Sequence, residues 1–530
     1  MARRLFPYNR FLGLDSVTSP SNMSDRFFVE MDGAYVDFRG QIVRGPGVNN
    51  TGQGSSKLYN IAHYGSSTIL KYFYNGTGSG AGSVSSTNGS VTISTFFSTT
   101  APITPISLVN FDQKQFSFMQ GHTPHYWDGT QYQIALATHN NSLGRYPDGG
   151  FAVNILNRLA VAGIPNKPTE IHVSRQDSFT DWRTNTGGGT TPTATDGLIL
   201  DVKNQFTSND TIKGLAVLEG DKLVIFGENE TLVYLADTNI NQWQIARDFR
   251  VPIGIFGRNT AVNVGTDIFF CSRFGIHSLR RAASGLTLET IMLSREVQDK
   301  FQEAVENCPT TGIRTEPHAV WDGELGQYHV FFPRDIPGLN TIETFDRLTF
   351  TYEPGVGRGG FRSFSFSPAT NISCASFFAR PDTNSAISAL QVGTWGNGSG
   401  DGQDLTRSSK PSSGPDMVIR TPLLSQSTPD QYKLYKRLII RAVGTADFIV
   451  DVFNESNHLL QSTTVRPETD GFGDTAGISG AETRPIDIPI PHRAKAISLR
   501  FKTLTSSSST EYGTVGTLKI LDYALVVDIK

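Results

Sequence analysis

His122 and His125 flank Pro124 at an i, i+3 spacing that could set two imidazoles side by side. Two histidines cannot fill a metal shell, and Pro124 disfavours the helical face that would present them, so they read as turn residues. Cys271, Cys308 and Cys374 are odd in number and form no CxxC pair. Neither a disulfide framework nor a zinc site is expected from them, and buried free thiols are. The run GTGSGAGS from Gly76 to Ser83 has the glycines of a phosphate cradle. No helix opening on Lys-Ser/Thr follows it, so it reads as a flexible surface loop. GxSxG, HExxH, Walker and GxGxxG-before-helix patterns are absent. A glycosidase would need two carboxylates ~5–9 Å apart, which order along a chain cannot show. No catalytic, cofactor-binding or metal-ligating residue is assigned, no cofactor is expected, and the chain is read as a non-enzyme.

The elements that would hold any site are strands. Between 156 and 279 lie three successive apolar pairs: NRLAVAG (157–163) with TEIHVS (169–174), DKLVIFG (221–227) with ETLVYL (230–235), and TDIFFCS (266–272) with FGIHSL (274–279). β-Hairpin units recurring roughly every 45–50 residues predict the blades of a β-propeller, with a β-sandwich as the alternative. Blade-like pairs are also read at 58–64 with 68–74, 111–119 with 124–129, and 328–333 with 347–352, and another begins at 386–395. The stretch SRQDSFTDW (174–182) echoes the Ser-x-Asp-x-Gly-x-Thr-Trp turn of sialidase propellers. It lacks the Gly, is shifted by one residue and occurs once, and that box is a structural turn in any case. The polar loop that follows, from Asp181 to Pro192, is long enough to be functional or mobile.

One helix is predicted over 294–307, capped by Ser294, with Val297, Phe301, Ala304 and Val305 on one face. Near the start, 26–31 and 34–38 read as a hairpin turning at Asp32-Gly33. Residues 396–415 are rich in Gly and Ser and mark a domain boundary. Both this stretch and 76–90 are expected to be solvent-exposed. Longer strands over 431–530 suggest a small sandwich. The organisation expected is all-β: strands or a hairpin over 1–56 packing on the body, a propeller over 57–415, and a sandwich-like domain over 416–530.

At 530 residues the chain exceeds one ordinary core. Fifty-two glycines against 6 methionines fit many turns and few helices. A net charge of −3 excludes a sequence-wide nucleic-acid binder. No stretch approaches the ~18 apolar residues of a membrane helix. Pro7 interrupts the basic start MARR before a signal peptide's apolar run can form, so Asn75-Gly-Thr and Asn371-Ile-Ser read as chance triplets rather than glycosylation sites.

NRLAVAGIP (157–165), EIHVSRQDSFTDW (170–182), IKGLAVLEGDKLVIFG (212–227), FCSRFGIHSL (270–279) and the Leu293-Ser294 helix start follow one another in an order that resembles nozzle or hub proteins of short-tailed bacteriophages. These are the tail tubular protein B and packaged-DNA stabilisation proteins. NRFLGLDS (9–16), Asp32-Gly33 with RGPG (44–47), and the closing block from Lys436 to Ile520 are similar as well. The resemblance implies a structural virion subunit, six copies of which form a tube below the portal adaptor. Its implied partners are its own copies, the head-to-tail adaptor, tail fibres or spikes, and double-stranded DNA passing without sequence-specific binding. It would be assembled in the host cytoplasm and carried in the tail. A conduit is expected to have an acidic or neutral wall at its constriction, because a basic ring would grip phosphates. Arg3, Arg4, Arg10, Lys433, Lys436 and Arg437 are then expected to face protein partners. The alternative is a carbohydrate-binding or glycoside-hydrolysing propeller, such as a tail-associated receptor binder.

Overall fold

The computed structural model describes residues 2–529 except 46–47, 51–56, 65–67, 75–82, 87–90, 93–106, 130–131, 135–146, 187–191, 247–248, 282–287, 311–314, 335–343, 354–360, 382–385, 395–401, 406–416, 468–484, 505–517 and the single positions 208, 324, 371, 427 and 445. Side chains in most of blades 1 and 7 fall outside that description. The fold is all-β, a propeller joined to a sandwich, with one short α-helix among the described residues.

Seven four-stranded antiparallel sheets are blades. Six run in sequence order, over 57–92, 107–134, 151–201, 214–245, 262–292 and 318–370. The seventh takes three strands from 372–405 and its outer strand, Val48–Asn50, from the other end of the chain. Inner strands adjoin in order from blade 2 to blade 7, and blade 7 adjoins blade 1. The three pairs read between 156 and 279 are the two middle strands of blades 3, 4 and 5: Arg158–Ala162 with Glu170–Val173, Lys222–Phe226 with Thr231–Leu235, and Asp267–Cys271 with Ile276–Arg281. Their residues are almost wholly buried between neighbouring blades, which is why they read as continuous apolar runs. In blades 2 and 3 two-residue turns join the first strand to the second, with both φ positive: 48° and 54° at Asp112-Gln113, 48° and 57° at Leu156-Asn157. Those angles match the twist of the flanking strands.

Two segments expected as exposed loops each contain a blade strand. Ser83–Ser86 pairs on both sides in blade 1, and Gly402–Leu405 does so in blade 7. Small residues weaken a strand's packing without preventing its ladder from forming. The remainder of 76–90 and 396–415 lies outside the described residues, as do Asn75 and Asn371.

The sandwich is built from both ends of the chain. One sheet runs Ile486–Ala494, Lys433–Gly444, Leu518–Ile529. On the far side of Leu518–Ile529 lie Ala2–Tyr8, from Ala2 opposite Ile529 to Tyr8 opposite Tyr523, and Ile42–Arg44. The other sheet runs Leu459–Val465, Phe448–Asn454, Ile497–Thr503, Val418–Arg420, Glu30–Asp32. The two meet face to face, with the Phe501 and Tyr523 rings 5.6 Å apart. The expected hairpin at Asp32-Gly33 is therefore a crossing: Glu30–Asp32 joins the second sheet, and Ala34–Val36 joins Ile42–Arg44 in the first. Gly33, at φ 60°, makes the change of sheet. Residues 1–56 thus supply strands to both sandwich sheets and to blade 7.

The sandwich core continues into blade 6 through Phe350, Phe364 and Phe332. At Gly13 a Cβ would come within 2.5 Å of Ser363 Oγ and 2.9 Å of the Phe364 carbonyl, so only glycine lets the opening segment lie on that blade. A 3-10 turn, Arg295–Val297, leads into the helix Gln298–Glu306. Val297, Phe301 and Ala304 are its buried face, with Phe301 edge-on to Phe332 at 5.5 Å. Ser294 makes no side-chain cap; its hydroxyl accepts the Ile276 amide at 3.1 Å and fastens the helix entry to blade 5.

Candidate functional site

The inner strands of the blades leave a cavity of about 560 Å³ between them. Its wall is drawn from Ser107–Phe111, Phe151–Ile155, Gly214–Leu218, Val262–Val264 and the start of His318–Asp322, with Asn60 from blade 1. Alternation along each inner strand sends its residues to the two neighbouring blades in turn: Phe151 and Ile155 pack toward blade 4 and Ala152 toward blade 2. In Phe151–Ile155, Phe151, Ala152 and Ile155 are buried while Asn154 is exposed. The polar groups on the wall are mostly neutral amides and a hydroxyl, Asn60, Asn110, Asn154, Asn259, Asn263, Gln115 and Ser107, joined by the buried His318. Asn154 Nδ2 donates to the Asn110 carbonyl of the next blade at 3.2 Å.

Arg258 is the wall's fixed charge. Its Nε and Nη2 donate to Glu316 at 3.0 and 3.1 Å, and its guanidinium lies 4.7 Å from the Phe151 ring centre. The same pairing holds the Glu316 carboxyl below its ordinary range despite burial. No carboxylate lines the cavity among the described residues.

Other candidates are taken up by the fold. His125 is buried on the strand His125–Trp127, and burial pushes its imidazole down to about 4. His122 is lowered for the same reason, with Asp148 opposing. No group of three or more His, Cys, Asp or Glu side chains is placed to hold a metal among the described residues. Cys271 and Cys308 are free; burial raises both thiols, Cys308 to about 12, leaving them unreactive at neutral pH. Cys374 lies on Ile372–Pro381, whose side chains are outside the described set.

The stretch 174–182 closes on itself. Asp181 takes the Arg183 guanidinium at 2.7 Å and Arg175 at 3.5 Å, and the buried Trp182 indole donates to the Phe179 carbonyl at 3.0 Å. Beneath it, fully buried Arg158 donates to the carbonyls of Ser174, Ala194, Thr195, Asp196 and Thr238. Asp196 accepts from Thr186 and Thr193, which holds its carboxyl at about 2 despite the cost of burial and fastens these two positions to the body.

Lys433, expected to face a partner, is buried instead. Its ammonium donates to the carbonyls of Thr428, Gln431 and Lys495, three acceptors for three protons. Arg437 pairs with Asp487, and Lys436 and Arg3 with Asp528, all within the chain.

No protein-family profile matches the sequence, and neither does any curated protein. Among solved structures the chain is similar to YCF48 from Cyanidioschyzon merolae (10% identity, 68% of this chain and 98% of that one, TM-score 0.34). It is also similar to PorZ of the Porphyromonas gingivalis type-IX secretion system (10%, 83% and 48%, TM-score 0.32) and to an exo-β-1,3-galactanase from Phanerochaete chrysosporium (10%, 92% and 100%, TM-score 0.26). The seven four-stranded sheets themselves define the propeller.

Proposed function

We propose that the chain is a structural subunit of a short phage tail, forming with five further copies a nozzle below the portal adaptor that retains packaged DNA and conducts it on ejection. The observation that carries this reading is the cavity wall. The place where a propeller would concentrate reacting groups presents neutral amides, one arginine paired to Glu316 and the buried His318, without a carboxylate among the described residues. A subunit whose work is assembly needs a rigid closed body, and Ala2–Tyr8 pairs with Leu518–Ile529 in the sandwich while Val48–Asn50 completes blade 7. The order of sequence blocks supplies the tail assignment. Electron microscopy of the virus particle, labelled with antibody against this chain, is the test. Label on the tail axis with six-fold density is expected; label on peripheral appendages, or another symmetry at that position, rules the nozzle out.

A further inference from the structure

Asn110, Asn154, Val217 and Asn263 occupy the same register on four successive inner strands, each one residue before the strand's end. The three amides are exposed, while the residues that follow, Phe111, Ile155 and Val264, are buried. Each amide is thus carried on rigid backbone at the cavity's edge, anchored by its neighbour. Val153, Leu215, Val217 and Val262 add aliphatic surface between the polar groups. At about 560 Å³ the space lies within the ~300–1,000 Å³ of small-molecule sites.

The chemistry of the wall selects among ligands. An anion would find only the buried Nη1 of Arg258, whose Nε and Nη2 are on Glu316, with that carboxylate competing for the same guanidinium, and a cation would find no carboxylate on the described wall. An amide both donates and accepts, as a hydroxyl does, so a wall of amides matches a ligand rich in hydroxyls. Aliphatic patches beside them suit the C–H faces of a sugar ring. We propose that the axial cavity binds an uncharged polyhydroxylated ligand, a short neutral saccharide, through Asn110, Asn154 and Asn263 with Val217 beneath the ring. The inference stands independently of assembly into a nozzle. No aromatic side chain lines the described wall, so affinity is modest, in the roughly millimolar range.

The test is titration of the full chain with maltotriose, cellotriose and N,N′-diacetylchitobiose, read by saturation-transfer NMR and calorimetry, with sodium sulfate as competitor. Saturable binding of at least one sugar is expected, unaffected by sulfate. Asn110→Ala and Asn263→Ala should each weaken it about five-fold or more. Val217→Trp, which fills the cavity from another blade, should abolish it, while Asn457→Ala on the sandwich leaves it unchanged. Thermal midpoints show which variants are folded, and a variant that does not fold is replaced in the comparison by the other two. Absence of saturable binding by all three sugars, displacement by sulfate, or equal affinity in folded Asn263→Ala and Val217→Trp overturns the proposal.

Discussion

Replacing Arg158 with Met would strip five carbonyls, those of Ser174, Ala194, Thr195, Asp196 and Thr238, of a donor that water cannot replace in a fully buried position. The expected cost is about 3 kcal/mol or more, read by urea unfolding; a loss below about 1 kcal/mol would show that the loop finds other donors. A second residue-scale consequence concerns pH. Burial lowers His125 and His277 from 6.5 to about 4 and His329 to about 3, the last also beside Arg347. Each is folded in its neutral form. As pH falls from 6.5 toward 4 the unfolded chain takes up protons that the folded chain refuses, so this stability is complete above pH 6.5 and is lost below it, by up to about 3 kcal/mol for each of His125 and His277 and by more for His329. Asp267 opposes them: burial pushes its carboxyl up to about 6, so its contribution is present below its unfolded value and lost as pH rises through 6. Three imidazoles outweigh one carboxyl. Unfolding free energy should be lower at pH 5 than at pH 7 by at least about 2 kcal/mol, and His277→Gln should flatten the slope. A flat or opposite slope would contradict the burial of these rings as neutral groups.

At the level of elements, the strand Val48–Asn50 pairs with Gly402–Leu405 and completes blade 7. Asn49→Pro fixes the backbone of this three-residue strand and crowds the residue before it, so it should lower stability by about 1–3 kcal/mol and raise protease sensitivity within 372–405. An unchanged thermal midpoint would mean the ring closes without that strand. The middle strands of blades 3 to 5 were legible in the sequence because burial on both faces makes them apolar throughout. The strands over 431–530 were legible because their alternation is long. The outer strands were not: Gln244–Ile245 is two residues, and Leu198–Asp201 is largely solvent-facing. The partners of 1–56 were hidden for another reason. A strand's own residues do not name a partner hundreds of positions away, so Glu30–Asp32 beside Val418–Arg420 could not be told from a local hairpin. The axial amides escaped notice because nothing marks single Asn residues until the inner strands are aligned by register.

For the whole molecule, 46 basic and 49 acidic side chains leave a net charge of −3, and several basic groups are spent on internal partners such as Asp487 and Asp528. A duplex should therefore find little to grip. Binding of the free chain to a 20-base-pair DNA at ~150 mM salt should be weaker than about 100 µM by fluorescence anisotropy. A dissociation constant below about 1 µM would be incompatible with a duct through which DNA slides. The pairing of Ala2–Tyr8 with Leu518–Ile529 also sets a schedule. During synthesis at ~5–20 residues per second, the opening strand leaves the ribosome roughly half a minute to two minutes before its neighbour exists. Blades 1 to 6 can form behind it in order, but the sandwich must wait, and blade 7 closes only when its residues reach the waiting Val48–Asn50. Ala2–Tyr8 and Val48–Asn50, made long before their partners, are thus among the last strands to find their places, and any chaperone attending this chain has them as its exposed target throughout that interval.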